Sequence, residues 1–178
     1  MCIRDRHFII ICNLKLRRND LDISWEIMNK SVKTPCIGVC STVFGDEVCR
    51  GCKRFQHEVI KWNAYNDPEK RLVLDRLEAL KVQIMQSKII VTDKKLLKSK
   101  LEEYKIKHDE DSNPLCWVFD LLRTGSQSIH NSKDFGFNPI LNDTTDLSDL
   151  KKVMEDELFQ LSEAHYQRYF KTEKYFNV

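Results

Sequence analysis

The chain has 178 residues, of which 42% are hydrophobic and 31% are charged, and its formal net charge is +2. This balance excludes a disordered chain, and the length suits one ordinary domain or two small ones. Its longest apolar run, FIIIC at residues 8–12, is far shorter than the ~20 residues that span a bilayer. No small-residue cleavage site follows that run. We therefore expect a cytoplasmic protein without a membrane partner, in which cysteines stay reduced.

Residues 1–27 differ from the rest of the chain because they show no sustained helical or strand period. Their opening letters, MCIRDR, resemble a non-native string that recurs at the start of translated metagenomic assemblies. We expect Met28 to be the natural start and residues 1–32 to form a poorly ordered, partly non-native tail. Cys2 and Cys12 are then expected to carry no function. A native but poorly ordered tail is the alternative, and it leaves the site prediction unchanged.

Four of the seven cysteines lie close together, in the sequence CIGVCSTVFGDEVCRGC. A C-x3-C pair and a C-x2-C pair separated by a loop suit a tetrathiolate metal site, because each pair forms a turn and the loop brings the turns together. Gly38 and Gly51 lie inside the pairs, where glycine permits tight turns and close backbone approach. Four thiols without a metal are the alternative. The predicted ligands are Cys36, Cys40, Cys49 and Cys52.

The identity of the metal is a separate question. Zinc commonly occupies four-cysteine sites of this compactness, and a structural zinc would fold a segment that has little core of its own. Iron–sulfur clusters also use four cysteines, but the ferredoxin spacings C-x2-C-x2-C and C-x4-C-x2-C are absent here. The spacing therefore favours zinc slightly. Either metal would be covered by nearby apolar side chains, namely Val39, Val43, Phe44 and Val48.

Helical periodicity begins directly after the cysteines. The segment FQHEVIKW predicts a short helix, because its apolar residues stand at i, i+4 and i+7. A long helix is predicted over residues 66–86, where Asp67 can cap the start and Pro68 suits the first helical position. The β-branched run at residues 87–91 is expected to form an isolated strand or an extended link.

Three more helices are predicted in the remainder of the chain. They cover residues 94–106, Pro114–Gly125 and about Leu147–Phe170. The first of them would be capped by Thr92 or Asp93. KHDEDSN is predicted to be a linker and NSKDFGFNPILNDTT a loop. The expected fold class is therefore mainly α: a small four-cysteine metal knuckle followed by about five helices, with at most one or two short strands.

Charge divides the chain near residue 108. Residues 28–108 carry 17 basic and 10 acidic side chains, whereas residues 109–178 carry 7 and 13. We expect residues 33–108 to hold the cysteine knuckle and helices, and residues 109–178 to form an acidic helical extension. The basic half could contact nucleic acid, but contact with the acidic half or with solvent is the favoured interpretation.

Three further residues are weaker candidates for a site. His57 is close enough in sequence to approach the metal, but with four thiols present we expect it at the surface. Cys116 lies in an apolar helix and is expected to pack as a small hydrophobic residue. His165 stands four residues before Tyr169 and could line a pocket, although packing of an aromatic helix end on a core is the commoner explanation. No enzyme signature is present in the sequence.

The stretch from Lys33 to Leu74 closely resembles small bacterial proteins of domain of unknown function family 1289, often labelled predicted iron–sulfur proteins. Members share a Pro-Cys start, a C-x3-C pair, a C-x-G-C-x-R stretch and a helix with Glu-(Ile or Val)-x-x-Trp. The matching residues are Pro35, Cys36, Cys40, Cys49, Gly51, Cys52, Arg54, Glu58, Val59 and Trp62. The resemblance covers about residues 33–75, and the remainder is similar to the helical extension of a longer proteobacterial subgroup. The family label implies an iron–sulfur cluster at the same cysteines and no reaction.

The favoured hypothesis is a non-enzymatic, cytoplasmic metal-binding protein. In it the four-cysteine centre structures a module that binds an unknown protein partner. The second hypothesis is an iron–sulfur protein that transfers electrons or senses redox state through the same four cysteines. The third is nucleic-acid binding through the basic half of the chain.

Overall fold

The computed structural model describes residues 32–129, 131–140 and 146–171. The expectations for residues 1–27, for Met28 as the natural start, and for Cys2 and Cys12 lie outside these residues. Among the described residues, no helix is both long enough and apolar enough to cross a lipid bilayer. The elements are the helices α1 (Gln56–Lys61), α2 (Asp67–Met85), α3 (Lys94–Glu103), α4 (Pro114–Gly125) and α5 (Leu147–Phe170), and the strands β1 (Ile89–Val91) and β2 (Phe137–Pro139). The predicted mainly α fold class is confirmed.

Asparagine and aspartate side chains fix where the helices start. At α2 the cap is Asn66, one residue before the predicted Asp67: the Asn66 side chain accepts from the Glu69 N–H, and the Glu69 carboxylate accepts from the Asn66 N–H. This reciprocal pair satisfies two helix-end donors at once, which explains why Asn66 takes the cap. Asp93 caps α3, as one of the two predicted alternatives. Asn113 and Asp146 cap α4 and α5.

The two strands form one antiparallel pair, in which Ile89 lies opposite Pro139 and Val91 opposite Phe137. The sequence predicted a loop for the region of β2, so this strand is a correction. Phe137 is fully buried, and this burial holds the short segment against β1. Gly136 precedes β2 with φ +76°, and its carbonyl accepts from two successive N–H groups after β1. The turn at Gly136 and the burial of Phe137 therefore hold the two strands together.

Helix α4 is the centre of the hydrophobic core. It packs against α2, α3 and α5, which is the arrangement expected of a helix that is apolar on most sides. Its buried residues are Cys116, Trp117, Val118, Phe119, Leu121 and Leu122. The Trp117 indole N–H donates to the Asp109 carbonyl at 2.6 Å, so its polar atom is satisfied inside the core. Helices from both sides of residue 108 thus contribute to one core.

Candidate metal centre

The cysteine segment, residues 36–52, begins with an exposed turn. Cys36 is exposed and Cys40 is half-buried. Gly38 adopts φ +88°, in the left-handed region that favours glycine, and its N–H lies 3.4 Å from the Cys36 sulfur. An N–H pointing at the first sulfur is the turn geometry that a cysteine ligand pair uses. A 3₁₀ turn over Ser41–Phe44 follows.

The second cysteine pair lies in a tight, buried hairpin. Val48 and Phe55 form an isolated β-bridge, and the Cys49 N–H donates to the Arg54 carbonyl at 2.8 Å. The Lys53 N–H donates in turn to the Cys49 carbonyl at 2.8 Å, and Lys53 adopts φ 60°. Cys49 and Cys52 are both buried, and the Cys52 side chain is among the groups that lower the pKa of the Cys49 thiol. The hairpin therefore brings these two sulfurs together.

The two turns meet at Gly51. A Cβ added to Gly51 would lie 2.5 Å from the Val39 carbonyl oxygen and 3.1 Å from the Ile37 side chain, too close for any other residue. The Cys49 sulfur itself lies 3.6 Å from the same Val39 oxygen. The Arg50 N–H also donates to the Ser41 hydroxyl at 2.9 Å. The first cysteine turn is thus packed directly on the second.

Backbone N–H groups from both turns are directed at one sulfur. Burial alone would raise the pKa of the Cys49 thiol, but N–H groups of Cys52, Ser41 and Gly51 donate to it and bring the pKa down to about 7. At Cys52 burial dominates and raises the pKa, although Arg54 opposes this. The backbone therefore prepares the Cys49 sulfur for the thiolate form that binds a metal.

Three basic residues border the cysteine segment: Lys53 and Arg54 are buried, and Arg76 is partly buried. The Lys53 ammonium pairs with Glu155 of α5. The Arg76 guanidinium lies 2.7 Å from the Glu58 carboxylate and 3.9 Å from the centre of the Phe55 ring. The Arg54 Nε donates to the Cys52 sulfur at 3.3 Å. Of these three cations, Arg54 thus makes a direct contact with a buried sulfur.

The last turns of α5 cover the outer side of the same region. The Phe55 ring makes edge contacts with Tyr166 and Phe170, at centroid distances of 5.3 and 5.6 Å. Lys171 pairs with Glu47 at 2.8 Å, and the Arg50 guanidinium lies over the Phe159 ring. These contacts attach the acidic end of the chain to the cysteine segment.

The structure describes all four predicted ligands, but it does not bring all four equally close together. Cys49 and Cys52 lie together, whereas Cys36 stays exposed. Over the residues that the structure describes, no group of three or more His, Cys, Asp or Glu side chains is arranged to hold a metal ion. The predicted apolar cover is wrong for three residues, because Val39, Val43 and Phe44 are 65%, 78% and 90% exposed; the fourth, Val48, is buried. The donor chemistry and the packed turns nevertheless fit a four-thiolate centre.

The weaker candidates have ordinary structural surroundings. His57 is half-buried against the Phe170 ring at 4.9 Å. His165 contacts Tyr169 at the end of α5, with ring centroids 5.9 Å apart. Cys116 is buried in the core, and burial raises the pKa of its thiol to about 12. Within the part of the chain that the structure describes, none of these three side chains belongs to a group that could hold a metal ion.

Sequence reasoning missed the role of the basic residues at the site. Lys53 and Arg54 directly follow the second cysteine pair and resemble ordinary surface charges, yet each is only 3% exposed. Arg76 lies far along the chain, and only the fold places it against Glu58 and Phe55. The position of Arg54 two residues after Cys52 was the one available signal.

The fold and the site define a mainly α protein whose four-cysteine segment is packed on a helical core. Residues 34–81 match the family model described as "Protein of unknown function (DUF1289)". This match confirms the resemblance noted from the sequence, and it covers the cysteine segment, α1 and most of α2. No curated protein and no solved structure matches the chain.

Proposed function

We propose that the protein binds one metal centre through its four clustered cysteines and that this centre structures a protein-interaction module. The contact at Gly51 carries the proposal. It packs the first cysteine turn directly on the second, so that both predicted ligand pairs lie in one compact segment. Zinc is the favoured metal, because compact Cys₄ sites bind it as a fold-stabilising ion. The ligands would be Cys36, Cys40, Cys49 and Cys52.

The interaction role is supported by exposed apolar side chains on the same segment. Between 46% and 90% of each of these side chains is exposed, and large apolar groups exposed together typically mark binding surfaces. They are Ile37, Val39, Val43 and Phe44. The measurement is copurification of cellular proteins with wild-type protein and with Phe44→Asp. A partner retained equally by both would contradict an interaction through this surface.

An iron–sulfur centre on the same cysteines is the second proposal, and it would make the protein an electron carrier or redox sensor. The buried cations beside Cys52 suit an anionic cluster as well as an anionic zinc site. The family label, which rests on the cysteines, is what brings this alternative forward.

Nucleic-acid binding is the weakest proposal, because lysines of the basic half are partly neutralised within the protein. Ion pairs run from this half to the acidic half, at Lys53–Glu155, Lys81–Asp120, Lys88–Glu157 and Lys98–Glu110. Binding through the remaining cations would fall steeply with salt, so an absence of any complex with duplex DNA or RNA at low salt would exclude it.

Metal analysis of protein purified without oxygen tests the main proposal. One equivalent of zinc in a colourless protein is the expected result, whereas a brown protein with iron and acid-labile sulfide would establish the second proposal. Cys49→Ser should lose most of the metal and melt at a lower temperature. Cys116→Ala is the matched control, since this cysteine is buried in the core and should leave the metal content unchanged. A wild-type protein that binds neither metal would exclude both proposals.

A further inference from the structure

The three cations beside the cysteine segment, Lys53, Arg54 and Arg76, differ in what neutralises them. Lys53 pairs with Glu155, and Arg76 pairs with Glu58. Arg54 is as buried as Lys53, at 3% exposure. Among the described residues no carboxylate pairs with Arg54, and its Nη1 has no hydrogen-bond partner. Within the described part of the chain, one full positive charge is thus buried without a carboxylate beside it.

The geometry of Arg54 points its charge at one cysteine. Its Nε donates to the Cys52 sulfur at 3.3 Å, and its guanidinium lies 4.7 Å from the centre of the Trp62 ring. The ring holds the plane of the guanidinium in place, so that the N–H groups keep their direction. Arg76 cannot replace Arg54, because its charge is already shared with the Glu58 carboxylate, which also accepts from the Phe55 N–H.

A buried guanidinium without an anion is costly, because arginine keeps its charge in proteins. A neutral Cys52 thiol offers only a weak acceptor. Four thiolates around a divalent zinc ion, in contrast, carry a net negative charge and present anionic sulfur to the donor. Hydrogen bonds between charged groups are also about twice as strong as neutral ones. The missing anion of Arg54 and the excess charge of a zinc tetrathiolate therefore match.

We propose that Arg54 is a positioning residue of the four-cysteine centre: it orients the Cys52 sulfur and supplies the counter-charge that makes a metal tetrathiolate stable inside the protein. This inference rests on the proposed metal-binding function. It assigns a role to a residue that is not itself a ligand. It also explains why the charge is buried, since solvent would screen its effect on the centre.

The test compares Arg54→Met with Arg54→Lys and with a matched control. The control is Arg50→Met, which makes the same change in the cysteine segment at a guanidinium that pairs with Asp46 and lies over Phe159, away from the sulfurs. Zn²⁺ affinity is measured by competition with a chromophoric chelator. Arg54→Met should weaken binding by about 10- to 100-fold, as changes beside metal ligands typically do. Arg54→Lys should recover part of this loss, and Arg50→Met should change affinity by less than about 3-fold.

Melting curves separate positioning from simple packing. If Arg54 acts as counter-charge, Arg54→Met lowers the melting temperature of the zinc-loaded protein and does not lower that of the chelated protein, where its charge has no anion to pair with. If Arg54 only packs on Trp62, both melting temperatures fall and zinc affinity follows stability alone.

The outcomes also distinguish this inference from the proposed function. Wild-type protein that binds Zn²⁺ while Arg54→Met binds it equally well would overturn the role of Arg54 and leave the metal centre standing. Wild-type protein that takes up no Zn²⁺ would overturn both. Equal losses in Arg54→Met and Arg50→Met would show a general effect of positive charge in the segment and would also overturn the specific role of Arg54.

Discussion

The cysteine segment and the helical body, residues 67–171, are held together by different forces. In the body the side chains of four helices fill one apolar core, with Trp117, Phe119 and Phe137 at most 1% exposed. In the cysteine segment four of the large apolar residues face solvent, and only Val48, Cys49 and Cys52 are buried apolar residues. Hydrogen bonds, ion pairs and the Gly51 contact hold it in place.

The difference indicates how each region should respond to change. Burial of apolar surface stabilises the body whether or not a metal is bound. The cysteine segment buries too little apolar surface for this, as small metal domains generally do, and should depend on its metal. Four changes test this difference, beginning with the largest expected effect.

Phe119→Ala should destabilise the body most. The side chain is 1% exposed in the central helix, and removing a buried phenylalanine typically costs about 3–5 kcal/mol. Urea unfolding followed by circular dichroism measures the loss. At temperatures where the variant stays folded, its zinc content should equal that of wild type. A parallel loss of zinc would show that the two regions are not separable in this way.

Gly51→Ala should damage the cysteine segment with the body intact. The added Cβ would stand 2.5 Å from the Val39 carbonyl, so the two cysteine turns must separate, at a cost of about 1–3 kcal/mol. Zn²⁺ affinity should fall at least as far as in Arg54→Met, while the helical circular dichroism of the body is kept. Gly125→Ala is the control, because a Cβ there meets nothing within 4 Å. Unchanged affinity in Gly51→Ala would contradict the packed-turn arrangement.

Glu155→Gln tests the link between the regions. It leaves the Lys53 ammonium, whose side chain is 4% exposed, without its carboxylate, and should lower the free energy of unfolding by about 1–3 kcal/mol. Glu157 lies in the same helix as Glu155 and forms a more exposed pair with Lys88. Glu157→Gln should therefore lower the free energy of unfolding by less than about 1 kcal/mol. Chemical denaturation of both variants gives the two values. Equal losses would mean that Lys53 is not held by Glu155.

The body was largely predictable because its signals are local. The sequence predicted α4 and α5 with their observed bounds, Pro114–Gly125 and Leu147–Phe170, and α4 stood out because it is apolar on most sides. Strand β2 was missed, since Phe137–Pro139 is too short for an alternating pattern and includes a proline. Its existence depends on Phe137 reaching the core and on the carbonyl of Gly136, both of which are properties of the folded chain.

The candidate site was predictable only in part. The spacing of the cysteines indicated two turns that carry four candidate ligands, because turns of two and three residues have few geometries. The charges around them could not be found this way: Arg76 and Glu155 reach the segment from α2 and α5, and sequence distance hides both contacts. Exposure of Phe44 was also hidden, since an apolar residue in a loop usually suggests burial.

Cys116→Ala is expected to have the smallest effect on stability. The pKa of the Cys116 thiol is raised, whereas that of Cys49 is lowered. Burial raises the pKa of the Cys116 thiol to about 12, from an ordinary value of 9.0. Above pH 9 the unfolded chain loses this proton while the folded protein keeps it, so stability falls as pH rises from about 9 towards 12. Cys116→Ala removes this contribution but leaves a small cavity. In metal-free protein at pH 7.5, urea unfolding should therefore give the variant a lower free energy of unfolding than wild type. At pH 10 this difference should be smaller by about 1 kcal/mol. A deficit that stays constant over this range would mean that the Cys116 thiol ionises as readily in the core as in the unfolded chain.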